Sequence, residues 1–201
     1  MSLALTRERA ASAVAEAILK FIRRIPKSAE HKSRTPLAAA RSHANAAAAK
    51  AALAAGSLAL PPGPLGWVTL LPEMVAVWKI QSQMVADIAA LYGRKSTLTE
   101  EQMVYCLFRH SAAQAVRDLV VRLGERVLVR QASLSALQSI ARKIGLKLTR
   151  KVIGRGLSRW VPIAGAIGVG AYAWYDTAQV ASTAIELFER EIEIVPEPPE
   201  V

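Results

Sequence analysis

The stretch LALPPGPLGWVTLLPEMVAVW, residues 58–78, decides whether this chain crosses a membrane or folds as a helical domain. It is mostly apolar, but four prolines and two glycines interrupt it. Proline removes a backbone donor and stops a helix, so the stretch predicts a broken helical hairpin. The surrounding uncharged segment, residues 51–72, has 22 residues, but PPGP at 61–64 divides it into pieces. Neither piece reaches the roughly 20 residues that a spanning helix needs.

A second uncharged segment, WVPIAGAIGVGAYAWY at residues 160–175, has 16 residues. As a helix it would be about 24 Å long, shorter than the roughly 30 Å hydrocarbon core of a bilayer. Two such broken segments either insert as paired re-entrant hairpins or pack against each other as a soluble core. Pairs with four-residue spacing, Ala164/Gly168 and Ala166/Gly170, allow close helix contact in either case. The residues that we expect in the two apolar hairpins are Leu65, Trp67, Leu70, Leu71, Pro162, Ile163, Gly165, Gly168 and Gly170.

The remainder of the chain has helical patterns. Apolar residues at three- and four-residue steps predict an amphipathic helix before Pro26, and 12 alanines in the 19 residues 38–56 predict a thin second helix. Thr97 with Glu100, or Thr99 with Gln102, has capping-box spacing before a further helix. The apolar stripe assigned to that helix is Met103, Leu107, Val116, Val120, Leu123 and Val127. The sequence therefore predicts an all-α fold, a helical bundle with two Pro/Gly-broken apolar helical hairpins.

A weak repeat links the two apolar segments. Trp78, Gln83 and Leu91–Tyr92 recur as Trp174, Gln179 and Leu187–Phe188, always 96 residues later. A duplicated helical hairpin would give this pattern, and so would chance.

The clearest charge pattern is a ladder of five cations on the helix that we expect to begin near Ser133. Residues four apart drift by only about 40° around a helix, so the five cations share one face, opposite an apolar stripe. This pattern is typical of a helix at a membrane interface or against a partner, and also of a solvated outer face of a bundle. A tryptophan directly after the last cation favours the membrane. The expected contact residues for a membrane or anion are Lys143, Lys147, Lys151, Arg155, Arg159 and Trp160.

The net charge of +10 is unevenly distributed. Residues 1–50 carry ten basic and three acidic side chains, and residues 111–160 carry eleven and two. The apolar region 51–110 is balanced at four and four, and residues 161–201 carry one basic and seven acidic side chains. Basic blocks beside apolar segments favour an anionic membrane surface. Nucleic acid is a less favoured partner because aromatic residues are scarce and no base-reading motif is present.

The order of these segments resembles the EcsC family of bacterial proteins. The resemblance rests on WKIQSQMVADIAALYG at 78–93 and RWVPIAGAIGVGAYAWYDTAQVASTAIELFERE at 159–191, and it covers about residues 36–191. That family takes its name from the third protein encoded with a bacterial ABC exporter. The resemblance implies a membrane-linked accessory role without known catalysis, and it carries over no catalytic residue.

Few residues suggest enzyme chemistry. Cys106 and His110 lie one helical turn apart, so a thiol–imidazole pair is geometrically possible, but a buried thiol beside a core histidine is the simpler interpretation. The glycine-rich stretches do not match nucleotide-binding fingerprints. We therefore expect no cofactor, no metal site and no enzymatic activity. The single cysteine fits a reducing compartment, and no cleaved export signal is expected.

These observations predict an N-terminal amphipathic helix and connector at 1–35, an EcsC-like helical domain at 36–191 and a disordered acidic, proline-rich tail at 192–201. We expect a cytoplasmic protein, peripheral to or shallowly inserted in the inner membrane. Its expected partner is an anionic lipid, a membrane protein or an acidic protein. The alternative is a soluble helical adaptor or a protein that binds a lipid or another hydrophobic ligand.

Overall fold

The computed structural model describes the backbone of residues 12–21, 23–58, 66–123, 125–153 and 162–196. It describes their side chains except at 58, 66–73, 122–123, 148–153 and 162–166. The fold is broadly helical, which confirms the predicted class, with a small sheet that the sequence analysis did not include. Among the described residues, no helix combines the length and apolar character that crossing a membrane would require.

Six helices account for most of the described chain. Helix α1 comprises residues 12–21. The others are α2 (Pro36–Leu58), α3 (Gly66–Leu91), α4 (Glu100–Val116), α5 (Leu134–Ile153) and α6 (Pro162–Phe188). A short 3₁₀ helix, Arg117–Leu119, leads into strands β1 (Val120–Leu123) and β2 (Arg126–Arg130), and β3 (Glu191–Val195) follows α6. Thr99 caps α4 through a reciprocal capping box with Gln102, the second of the two predicted pairs.

Helices α3 and α6 run parallel, side by side and in register. Gln81 of α3 donates from Nε2 to Asp176 Oδ2 (2.8 Å) and Thr177 Oγ1 (3.2 Å) of α6. Further along, Arg94 donates to the carbonyl of Arg190. The partners are 95 or 96 residues apart, the spacing of the weak sequence repeat. The two helices therefore begin at the same end of the molecule.

Helix α2 runs antiparallel to α6 and ends at the same end of the molecule. A Cβ atom placed on Gly170 would lie 3.0 Å from the carbonyl oxygen of Ala52. Ala51, Ala55, Val77 and Ala173 form a small buried cluster in which Val169 also packs. The alanine-rich sequence of α2 permits this close approach because methyl side chains keep the helix thin.

The main core lies further along the bundle and includes helix α1. Trp78 packs edge-on against Phe108, with ring centroids 5.6 Å apart, and Phe21 approaches it from the other side. Val14 and Ile18 of α1 are buried in the same cluster. The N-terminal helix is therefore packed into the bundle, although the sequence analysis separated it at residue 35.

The predicted apolar stripe of α4 was wrong beyond Val116. Val120, Leu123 and Val127 belong to the antiparallel β1–β2 hairpin. The alternation of VVRL and RVLVR on either side of residues 124–125 suits strands, because successive side chains point to opposite faces. Over a short run of sequence, the same spacing of apolar residues can fit either a helix or a strand, and this ambiguity explains the error.

The predicted disordered tail was wrong for residues 192–195. Strand β3 pairs in parallel with β2, with Val127 opposite Ile192 and Val129 opposite Ile194. Arg126 and Glu191 form an exposed ion pair at the start of this pairing. Ile192 is partly buried against the main core, a contact that a purely acidic tail would lack, whereas Ile194 is 40% exposed. Residues 197–201 lie outside the described part of the chain.

Candidate functional site

The first half of the predicted cation ladder lies on an exposed helix face. Lys143 and Lys147 are exposed on α5, whereas Leu137, Ala141 and Ile144 on the opposite face are buried. In the part of the chain that the structure describes, no ion pair neutralises either lysine. The backbone of residue 151 continues α5, but the Lys151 side chain is not described. Arg155, Arg159 and Trp160 lie outside the described residues, so their contact role stays a prediction.

The described parts of the two predicted apolar hairpins lie at one end of the bundle, where α6 is a single unbroken helix through Gly165, Gly168 and Gly170 rather than a hairpin. Trp67, Leu70 and Leu71 lie in the first part of α3, and Pro162, Ile163 and Gly165 lie in the first part of α6. Leu65 lies outside the described residues. Gly170 makes the close helix contact that its spacing predicted, against α2. Gly168 does not, because no atom of the described residues lies within 4 Å of a Cβ placed there.

This end of the bundle, residues 51–58, 66–78 and 162–173, is called the uncharged end here. Glu73 is the one ionisable Asp, Glu, Lys or Arg in these three segments. Two of its aliphatic side chains project into solvent, Leu53 at 75% and Ile167 at 68% relative exposure. This end of the bundle therefore combines two exposed aliphatic side chains with a single ionisable residue of these four types.

Behind the uncharged end, a buried polar cluster joins three helices. Asp176 Oδ2 on α6 accepts a hydrogen bond from Gln81 Nε2 on α3. The other carboxylate oxygen, Oδ1, lies 2.6 Å from His110 Nε2 on α4. Gln81 is fully buried, and within the described part of the chain neither its Oε1 atom nor His110 Nδ1 has a hydrogen-bond partner. A carboxylate that accepts from two different helices holds them in one relative position.

The sequence analysis did not identify this cluster, although one signal for it was present. Asp176 is the one charged residue between Arg159 and Glu186. A carboxylate that faces the interior of an apolar helix needs partners, and the candidates were the polar residues of other apolar helices. Which of them would meet Asp176 depends on the α3–α6 register and on the position of α4, and neither can be read from local sequence.

The thiol of Cys106 has no access to solvent and no role in this cluster. Burial raises the pKa of Cys106 far above its ordinary value, and the positive charge of Arg109 lowers it by less. His110, which the sequence placed one turn away, is bonded to Asp176 instead. The interpretation of Cys106 as a buried core residue is confirmed.

Cys106 should therefore react with a thiol reagent such as Ellman's reagent only when the protein unfolds. The nucleophile is the thiolate, which the raised pKa and the burial both suppress at neutral pH. The folded thiol keeps its proton at pH values where the unfolded one loses it, so its contribution to stability decreases as pH rises above the ordinary thiol pKa. Stopped-flow absorbance with and without denaturant measures the rate. Rapid labelling of the native protein would contradict the burial.

A family comparison now adds to this geometry. A profile of the EcsC protein family matches residues 4–191 of the 201-residue chain. The chain belongs to the EcsC family. The match begins at residue 4 rather than near residue 36, so α1, which the sequence analysis left outside the resemblance, is part of the family domain. No curated protein and no solved structure matches this EcsC protein.

The described residues of this EcsC protein offer no metal centre. Within those residues, no three histidine, cysteine or acidic side chains come together in a way that could hold a metal ion. The features that remain as candidates for function are the uncharged end, the exposed lysines of α5 and the polar cluster behind them.

Proposed function

We propose that this EcsC protein is a non-enzymatic accessory factor bound to the inner face of the bacterial cytoplasmic membrane, where it supports a membrane-linked or transport-linked process. The observation that carries the proposal is the uncharged end. It joins the starts of α3 and α6 with the last part of α2, and it exposes Leu53 and Ile167 to solvent. Both Pro/Gly-broken segments adjoin this one end, so they can enter the same apolar phase.

The exposed cations of α5 supply the second part of the attraction. Lys143 and Lys147 lie on a helix that is connected to the start of α6 by the eight residues 154–161. The basic face is therefore tethered to the uncharged end, and that short connection also contains Arg155 and Arg159. Each cation near an anionic bilayer contributes about 1 kcal/mol of binding free energy. A few such cations and an apolar contact are enough for reversible binding.

A second function is favoured by the same exposed side chains. Because Leu53 and Ile167 are exposed at the uncharged end, this surface would also fit an apolar surface of another protein. In that case the protein is a soluble helical adaptor, and pure lipid vesicles do not recruit it.

Flotation with liposomes separates the two functions. We expect recruitment to vesicles that contain phosphatidylglycerol and much weaker recruitment to phosphatidylcholine alone, because the cations need an anionic surface. Raising the salt from about 0.05 to 0.5 M should weaken the binding by screening. Absence of recruitment to anionic vesicles at low salt would contradict membrane binding and favour the adaptor.

Neutralising the α5 face should weaken the recruitment further. The double variant Lys143→Gln/Lys147→Gln should bind anionic vesicles roughly 30-fold more weakly, since about 2 kcal/mol of attraction is lost. The matched control is Lys95→Gln/Arg130→Gln, which removes two exposed cations remote from the uncharged end. Vesicle titrations should give equal affinities for the control and the wild type. Equal losses in both variants would mean that only net charge matters.

A further inference from the structure

Strand β3 lies at one edge of the small sheet. The strand order is β1–β2–β3, and among the described residues β3 pairs with β2 alone. The side of β3 that faces away from β2, along Glu191–Val195, is called the open edge here. An unpaired edge presents a row of backbone donors and acceptors, to which an extended segment can add as a further strand.

The backbone groups of β3 alternate between β2 and the open edge. The amide of Gln131 donates to the carbonyl oxygen of Val195 at 2.8 Å, so Val195 directs its polar backbone groups toward β2. Successive residues of a strand direct their N–H and C=O groups to opposite sides. Glu193 therefore faces β2 as well, whereas Ile192 and Ile194 direct their backbone donors and acceptors to the open edge.

The face of the sheet that turns away from the core gives the open edge a negative charge. Glu191 and Glu193 are both exposed on this face, and Glu191 forms an ion pair with Arg126 of β2 at 3.3 Å. Glu193 lies opposite Leu128, and in the residues that the structure describes it takes part in no ion pair. Opposite charges on neighbouring strands attract, so these carboxylates favour basic side chains on an added strand.

The inner face of the sheet gives the same edge an apolar character. Ile192 and Ile194 lie opposite the buried residues Val127 and Val129 of β2. Ile192 is partly buried against the main core, whereas Ile194 is 40% exposed. The core therefore leaves part of Ile194 uncovered, and an apolar side chain of an added strand would remove this surface from water.

We infer that the open edge binds an extended basic segment of a partner protein, in which lysine or arginine alternates with apolar residues. Backbone hydrogen bonds join this segment to Ile192 and Ile194, its cations lie beside the two glutamates, and its apolar side chains cover Ile194. Two copies of β3 do not suit each other, because their glutamates would repel. Nucleic acid is disfavoured in the same way, since its phosphates are negative. The inference goes beyond the proposed function and does not depend on membrane binding.

Amide hydrogen exchange in the full-length protein, measured by NMR, tests the open edge directly. The probe is the acetylated peptide Thr-Val-Lys-Val-Lys-Val-Thr, and the control peptide has glutamate in place of both lysines. In the free protein the amides of Ile192 and Ile194 should exchange faster than those of Glu193 and Val195, which point toward β2. Saturation with the lysine peptide should slow exchange at Ile192 and Ile194 by roughly tenfold or more.

Three results of this experiment would overturn the inference. Protection of the Ile194 amide before peptide is added would mean that another part of the chain already covers the edge. Equal binding of the two peptides, or no binding of either at millimolar concentration, would mean that the edge does not select a basic strand. Binding of the lysine peptide without slower exchange at Ile192 and Ile194 would place it elsewhere on the protein.

Reversal of one charge at the open edge gives a second test. Glu193→Lys should weaken binding of the fluorescein-labelled lysine peptide roughly tenfold, because an attraction becomes a repulsion, and it should strengthen binding of the glutamate peptide. The matched control is Glu16→Lys, the same change at an exposed residue of α1. Fluorescence anisotropy measures both affinities, and circular dichroism checks the fold. Equal weakening in the two variants would overturn the inference, since only net charge would then matter.

A proline at the open edge tests the backbone contacts. Ile194→Pro removes an outward amide and no hydrogen bond toward β2, so the sheet should tolerate it at this edge. The variant should bind the lysine peptide at least roughly tenfold more weakly, because an added strand loses a backbone donor. Unchanged affinity in the folded variant would overturn the inference. A wild-type dimer that this variant converts to a monomer in light scattering would also overturn it and assign the edge to a second copy.

Discussion

Replacement of Asp176 by alanine should lower the free energy of unfolding by roughly 3 to 4 kcal/mol, because two donors then lose a shared charged acceptor. The carboxylate accepts from Gln81 Nε2 and from His110 Nε2, and the Gln81 side chain is fully buried. Gln81 cannot turn to solvent in the folded state without breaking the packing of α3, whereas His110 keeps a 17% exposed side chain. Urea denaturation followed by circular dichroism at 222 nm measures the change.

Two comparisons separate this effect from a general loss of charge. Asp118→Ala removes an exposed carboxylate paired with Arg117 and should change stability by less than about 0.5 kcal/mol. Asp176→Asn should have an intermediate effect, since the amide retains one acceptor but presents an NH₂ group to the other donor. If Asp176→Ala cost no more than Asp118→Ala, the cluster would not be a structural joint between the helices.

Local sequence was sufficient for most of the helices. The alanine run that begins at Ala38 favours helix at nearly every position, and Thr99 with Gln102 satisfies the first free amides of α4 reciprocally. Both signals act within a few residues, so the fold around them cannot easily override them. The two apolar segments were predicted as Pro/Gly-broken helical hairpins, whereas the described parts of both lie in single helices, α3 from Gly66 and α6 from Pro162.

The errors arose where a long-range partner decides the structure. Val120 and Val127 match a helical stripe over a short window, yet Val120 pairs with Val129 in the β1–β2 hairpin and Val127 lies opposite Ile192 of β3. Ile192 and Ile194 were likewise assigned to an acidic tail, because the sequence around them does not show that β2 is their partner strand. Pairing across more than 60 residues leaves no local trace in the sequence.

The sequence repeat at an offset of 96 corresponds to a structural relation between two helices, which the sequence alone did not show. It matches the register in which α3 and α6 lie side by side. The equivalent tryptophans nevertheless have different surroundings: Trp78 is buried between aromatic rings and Trp174 is half exposed. The two parallel helices lie side by side and turn equivalent faces in the same direction. This face of α3 therefore contacts the core, whereas the equivalent face of α6 contacts solvent.

Replacement of Gly170 by leucine should lower the free energy of unfolding by about 3 kcal/mol, because α2 has no room for a side chain at this position. A Cβ atom there would already lie 3.0 Å from the carbonyl oxygen of Ala52 and 4.0 Å from the Cα of Gly56. Both neighbours are backbone atoms, so rotation of a side chain cannot relieve the contact. The helices would have to separate, which opens the small-residue cluster around Ala173.

Gly168→Leu is the matched control for this prediction, because it makes the same change two residues earlier in the same helix. No atom of the described residues lies within 4 Å of a Cβ at Gly168, so leucine there should stabilise α6 by up to about 1 kcal/mol through helix propensity. Urea denaturation of both variants gives the two signs in one experiment. Equal stabilities would mean that α2 does not pack closely on α6.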